Sequence, residues 1–193
     1  MRTVYDCIAH LIGSKAIAAM TAEGMVEAIS ENLYTEANQA LLKPDYLHQL
    51  PQLVQDIILV IELDTELSIN GIWGFLHNSA GLLLEDMIDT LYRIGALEDY
   101  AILNAISGVL SRHELSPQQL RDRTQASSLY EVSRLKTADE VHMKPRIETI
   151  AGEIQELAQN LYVYDSERNI FDDLIAYVEI HKGALVEFMT QQE

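Results

Sequence analysis

Ile147-Glu148-Thr149-Ile150-Ala151-Gly152-Glu153-Ile154-Gln155-Glu156-Leu157-Ala158-Gln159-Asn160-Leu161-Tyr162-Val163-Tyr164 decides the fold class. Its residues Ile147, Ile150, Ile154, Leu157, Leu161 and Tyr164 recur at spacings of three and four, the period that lays one apolar stripe along an α-helix. The polar break Asp165-Ser166-Glu167-Arg168-Asn169 separates it from a second stripe of Phe171, Leu174, Val178, His181, Leu185 and Phe188. Two long amphipathic helices joined by about five polar residues predict an antiparallel hairpin. Its apolar seam would face the body of the protein and its carboxylates would face outward.

Upstream the same period returns. Met25, Ile29, Leu33 and Ala37 line one helix, expected to stop before Pro44. Leu53, Val54, Ile57, Ile58, Val60 and Ile61 cover most of a helix circumference, which predicts a central, buried element with Pro51 in its first turn. Leu84, Met87, Ile88, Leu91 and Ile94 form a further stripe closed by Gly95, where helices favour a left-handed residue. Ile102, Ile106 and Val109 mark another helix ending before Pro117. No stretch alternates with period two. The expectation is an all-α multi-helix bundle in one domain, residues 1–193, with a body at 1–110, an irregular connector at 111–140 and the helical hairpin at 141–193. At 193 residues the chain is long enough to pack a core without metal or disulfide staples.

Met1-Arg2 is followed by Asp6, His10 and Lys15 among apolar residues, so the start lacks the uninterrupted apolar core of a signal peptide. The most apolar runs, Ile57–Ile61 and Leu82–Leu84, fall far short of the ~20 residues of a membrane helix. A cytoplasmic protein without a membrane partner is expected. The single cysteine, Cys7, excludes an internal disulfide framework and a multi-cysteine zinc site, and reads as a buried structural residue.

Thirty acidic against thirteen basic residues give a net charge of −17. Residues 51–100 hold nine carboxylates against Arg93 alone, and residues 151–193 hold nine against Arg168 and Lys182. Residues 101–150 nearly balance. Direct nucleic-acid binding is disfavoured, because phosphate contacts call for Lys or Arg. A basic protein surface is the better partner. Asp86, Asp89, Asp172 and Asp173, within the two acidic blocks, are the candidate binding residues, while helical carboxylates also commonly form a plain solvated face.

The segment Asn70-Gly71-Ile72-Trp73-Gly74-Phe75-Leu76-His77-Asn78-Ser79-Ala80-Gly81 stands out, with three glycines and two asparagines among large apolar residues. Glycine supplies positive φ or close approach, and Asn can satisfy backbone groups in turns. The segment reads as a tight connecting loop that holds Trp73 and Phe75 in the core, or else as a pocket around Trp73, His77 and Asn78. No phosphate loop, nucleophile elbow, H-E-x-x-H or EF-hand pattern is present. Asp6 and His10 share a helix face, as do Glu62 and Glu66, but no Glu-x-x-His accompanies them. No catalytic residue, metal or cofactor is expected; Glu62, Glu66 and His77 would be the first candidates if a metal were found.

The segment and its continuation resemble a family of small all-helical bacterial domains of largely unknown function that includes a DNA-mimic protein. The family pattern opens with Asn-Gly-Gly-Phe, continues through Gln and an aromatic run to Asn-Ser-x-Gly, and is followed by a helix ending in Ile-Gly-Ala. Gly71, Ile72, Phe75, Leu76, Asn78, Ser79 and Gly81 keep that frame. The following helix ends in Leu91-Tyr92-Arg93-Ile94-Gly95-Ala96, and Ala101-Ile102-Leu103 continues the match over about residues 55–107. The second glycine and the Gln are missing, with Gly74 in the latter's place. The resemblance implies an all-helical fold without known catalytic residues, and one member that binds a DNA-binding regulator by imitating the duplex. That member's acidic surface lies outside the pattern, so no residue of it transfers here.

Two interaction roles fit: an acidic decoy for a DNA-binding surface, and an immunity- or antitoxin-like protein that blocks a basic partner such as a nuclease. A homodimer is compatible with either. Duplex DNA carries a charge every ~1.7 Å of axis, about three per turn of α-helix, so a decoy needs carboxylates from at least two helices. The alternative is a metal-dependent or small-molecule enzyme with its site near Asn70–Gly81.

Overall fold

The computed structural model describes residues 3–13, 17–122 and 138–191, and all regular structure among them is helical. The helices are α1 (Val4–Ile12), α2 (Ala22–Leu33), α3 (Pro44–Leu47), α4 (Gln52–His77), α5 (Leu84–Ile94), α6 (Leu97–Arg112), α7 (Ala138–Ala158) and α8 (Ile170–Thr190). Short 3₁₀ turns lie at Ile17–Ala19, Gln39–Leu42, Ser79–Leu83 and Tyr162–Tyr164. Residues 117–122 are helical too, within the expected connector, and 123–137 of that connector lie outside the described residues. No helix among the described residues is long and apolar enough to cross a membrane.

Local chemistry sets the helix ends. Thr3 and Asp6 form a reciprocal capping box on α1: the Asp6 N–H donates to the Thr3 hydroxyl at 3.1 Å and the Thr3 N–H to the Asp6 carboxylate at 3.0 Å. Asp6 is thereby committed to the cap. Thr21 accepts the Gly24 N–H at 3.0 Å at the start of α2, and Asn169 accepts the Phe171 N–H at 3.1 Å at the start of α8. As expected, Gly95 ends α5 in the left-handed region (φ 90°). The Ala96 N–H donates to Leu91 O and the Gly95 N–H to Tyr92 O, which closes a Schellman motif. Glu114 takes the same role after α6, at φ 54°, with the Leu115 N–H on Leu110 O.

The helix expected to run from Met25 through Ala37 stops at Leu33, and Ala37 is exposed. Asn38 is drawn inward instead, its side-chain amide donating to Asn32 O at 3.1 Å. Pro44 opens α3 at its first position, where the missing N–H costs nothing.

The chain gathers into two compact units. Unit 1 holds residues 1–62, 90–96 and 169–193; unit 2 holds 63–89 and 97–168. In unit 1, α2 packs on α1 and on α8. Its core includes Ile8, Leu11, Met25, Ile29, Val54, Ile57, Ile58, Leu174 and Val178, all fully buried. The expectation of a buried α4 is met. In unit 2, α7 packs on α6, with Phe75, Leu103, Ile106, Ile150, Ile154 and Leu161 fully buried. The two long C-terminal helices therefore belong to different units.

Ile150, Ile154, Leu161, Leu174, Val178 and Leu185 are buried as expected, and the rest of each seam departs from the expected stripe. On α7 the buried line is Ile150, Ile154 and Ala158, continued by Leu161 beyond the helix end, while Tyr164 is exposed. On α8 it is Ile170, Leu174, Val178, Leu185 and Met189. Phe171 and Phe188 are half-buried and His181 is exposed against the Tyr177 ring, 4.4 Å between centroids.

Each unit has a buried polar knot. In unit 1 the fully buried Asp56 accepts hydrogen bonds from Gln52 (3.1 Å), Thr90 (2.9 Å), Arg93 (2.7 Å from Nη2) and Tyr177 (2.9 Å). Burial raises the Tyr177 hydroxyl to about 12, and the neighbouring Asp56 charge adds to the effect. In unit 2 the buried Asp99 accepts the Tyr162 N–H at 2.8 Å and Arg168 Nη1 at 3.2 Å. The Tyr162 hydroxyl donates to Asp64 at 2.9 Å, and burial pushes its pKa far up.

Candidate interaction surface

The segment Asn70–Gly81 is not a loop. It is a kink followed by helix: α4 runs on to His77, broken only at Gly71, whose φ of 63° and ψ of 178° belong to a region essentially reserved for glycine. One oxygen of the half-buried Glu66 accepts both the Asn70 amide (2.9 Å) and the Asn78 amide (2.8 Å), clasping the kink from either side. Gly74 is needed for that approach, since a Cβ there would lie 2.5 Å from Asn70 Cβ. At Gly81 a Cβ would meet Leu76 O at 2.8 Å and Phe75 O at 2.9 Å. Backbone proximity, with no positive φ, explains that glycine. Phe75 is fully buried as expected. Trp73 is not in the core; it is half-buried and packs edge-on against His77, 4.6 Å between ring centroids. Cys7 is likewise half-buried.

The three residues first in line for a metal are engaged separately. Glu62 accepts the Tyr34 hydroxyl at 2.9 Å, Glu66 holds the two asparagines, and His77 Nδ1 lies 2.8 Å from Trp73 O. Among the described residues no group of three or more His, Cys, Asp or Glu is gathered as a metal ion would require.

Charge counted along the sequence overstates the acidic surface in one place and understates it in another. Of the nine carboxylates in residues 51–100, Asp56, Glu62, Asp64, Glu66 and Asp99 accept hydrogen bonds from the chain's own side chains or backbone and are buried or half-buried. Of the candidates there, Asp89 is exposed on α5 and Asp86 half-buried, beside Glu85, which accepts the Ser107 hydroxyl at 2.6 Å. These lie in unit 2.

Asp172 and Asp173 lie in unit 1, both exposed in the first turn of α8. Partial burial, with the Asp172 charge beside it, raises the Asp173 carboxyl above the usual carboxylate range. Farther along α8, the Lys182 ammonium donates to Glu179 at 2.8 Å and holds its carboxyl below that range, with the Ala22 N–H assisting. On α2, packed against α8, Glu23, Glu27 and Glu31 are all exposed at spacings of four. That spacing puts three carboxylates on one face, about 6 Å of axis apart. No Lys or Arg occurs in α2. A row of three carboxylates on α2 and an exposed Asp pair at the start of α8 are thus present in one unit, on helices that pack together.

Four of the described cations are spent internally. Arg93 pairs with Asp56, Arg112 with Glu153, Arg168 with Glu98, Asp99 and Asp165, and Lys182 with Glu179. The negative excess is shared between the units: thirteen acidic against five basic residues in unit 1, and seventeen against eight in unit 2.

A family model described as DMP19-like protein matches residues 48–181, more than half of the chain and well beyond the segment 55–107 that carries the sequence pattern. Asp86, Asp89, Asp172 and Asp173 fall inside the match; α2 falls outside it. No curated protein and no solved structure matches.

Proposed function

Because this chain belongs to the DMP19-like family, a small family of domains of unknown function that includes a DNA-mimic protein, we propose that it is a non-catalytic acidic protein that binds a basic protein and occupies its nucleic-acid-binding surface. The observation that carries this reading is the exposed row Glu23, Glu27 and Glu31 on α2, a helix packed against α8, whose first turn exposes Asp172 and Asp173. A single helix face cannot approach the charge density of a duplex, and carboxylates from two packed helices can begin to. Like charges four apart on a helix cost a few tenths of a kcal/mol per pair. No cation of α2 offsets that cost, and a basic partner would.

The partner is a DNA-binding regulator or a nuclease, and duplex DNA separates the decoy role from an immunity-like one. With the chain as bait, bound proteins are expected to be basic, to be released by duplex DNA, and to be released as salt rises from about 50 to about 200 mM, where screening shortens the range of attraction. Exposed pairs are each worth roughly 0–1 kcal/mol. Single changes at Glu27, Glu31 or Asp173 should therefore barely register, and joint replacement of Glu23, Glu27, Glu31, Asp172 and Asp173 by their amides should release the partner with the helical spectrum intact. A partner that ignores both salt and DNA would refute the decoy role and leave a shape-driven, immunity-like contact.

A further inference from the structure

Between α2 and α8, within unit 1, runs an open groove of about 450 Å³. Its lining is largely apolar, with Ala22, Ile175 and Ala176, and also carries Thr21, Glu23, Asp172 and Glu179. Glu179 is already tied to Lys182 and to the Ala22 N–H. Asp172 accepts only a side-chain amide, that of Asn169 at 3.2 Å, and neither Asp172 nor Glu23 is in an ion pair among the described residues. The groove also stands at the head of the Glu23, Glu27, Glu31 row, so the field of that row leads into it.

We infer that this groove is the anchoring pocket of the interaction proposed above, and that it takes an arginine side chain of the basic partner. The match is one of mixed chemistry. An arginine side chain has an apolar stem and a charged end, and the groove lining offers apolar side chains and carboxylates. Arginine suits it better than lysine: its guanidinium is more weakly hydrated, so it loses less on leaving water, and its planar fork offers several donors to the carboxylates of the lining. Anchors of this kind, partly desolvated within a wider charged contact, commonly dominate an interface. The inference rests on the acidic-interaction reading and adds to it a place and a residue type.

The test is titration of the isotopically labelled full chain with a short oligo-arginine peptide and, in parallel, an oligo-lysine peptide of equal length, at about 150 mM salt. Saturable amide shifts are expected to centre on Ala22, Glu23, Ile175 and Ala176, with the arginine peptide binding at least threefold more tightly. Ala176→Arg, at an exposed helical position, should weaken binding at least tenfold by filling the groove with a like-charged end. Ala176→Leu, which fills the same space without charge, should weaken it at least threefold. Glu187→Arg, an exposed charge reversal elsewhere on α8, should change it less than twofold. Shifts spread over Asp86, Asp89 and α8 alike, with Ala176→Leu binding normally, would overturn the groove and leave the acidic-interaction reading standing. Preference for the lysine peptide would overturn the choice of arginine. No saturable binding of either peptide would overturn the anchor, while the reading it rests on is decided by the salt and DNA response of the captured partner.

Discussion

Asp56 belongs by sequence to the most acidic block of the chain, and by structure it contributes nothing to the surface. A carboxylate cannot be buried without partners, because its desolvation costs several kcal/mol, and here four side chains supply them. One of those, Tyr177, makes the knot sensitive to high pH. Its folded pKa of about 12 lies above the ordinary 10.0. Below pH 10 both folded and unfolded chains keep the proton and the contribution to stability is whole. Between pH 10 and 12 the unfolded chain ionises first, so stability drains away. Tyr177→Phe should lower the melting temperature at neutral pH, costing about 1–3 kcal/mol for the donor Asp56 loses, yet flatten the decline between pH 10 and 12. Melting curves of both proteins across that window decide it; parallel curves would mean that Tyr177 is not the titrating group. A lone carboxylate inside the Leu53–Ile61 run is visible as an anomaly in the sequence. Three of its four partners stand 34, 37 and 121 positions away, and no periodicity reaches that far. The row Glu23, Glu27, Glu31 is the opposite case. It is legible at sight from the spacing, but counting charge by blocks averages it into a weakly acidic stretch.

At the scale of elements, helix type and order were legible from the 3.6-residue period, and the central α4 and the glycine-closed α5 follow the reading closely. What escaped were the points where one residue decides the backbone. Residues 72–77 include Gly74 and several middling helix formers, but Ile72, Phe75 and Leu76 are buried in the core, so the chain resumes the helix after the break at Gly71; composition alone makes the same residues look like a loop. Two substitutions of opposite sign test this view of the backbone. Gly71→Ala forces a side chain into a conformation only glycine adopts freely, and should cost about 1–3 kcal/mol. Glu114→Gly relieves an exposed non-glycine residue held at φ 54° in a helix-ending turn, and should stabilise by about 1 kcal/mol. Chemical denaturation of both variants reads the two signs, and matching signs would refute the account.

For the whole molecule, charge is the governing quantity. Both units carry a surplus of carboxylates, and four of the described cations already serve internal pairs. The native state should therefore be strained by self-repulsion, which salt screens. Its melting temperature is expected to rise by several degrees between about 50 and about 500 mM sodium chloride, measured by circular dichroism; a fall would show that the internal ion pairs outweigh the repulsion. The way the chain is divided carries a last consequence. Unit 1 is assembled from the two ends of the chain and a short middle piece, and α4 and α5 each give one end to either unit. No single cut of the polypeptide, and no single crossover in its gene, delivers one unit whole. The two are inherited together, so any exchange between relatives that alters the Glu23–Glu31 row must occur inside a shared frame, by substitution and not by swapping a module.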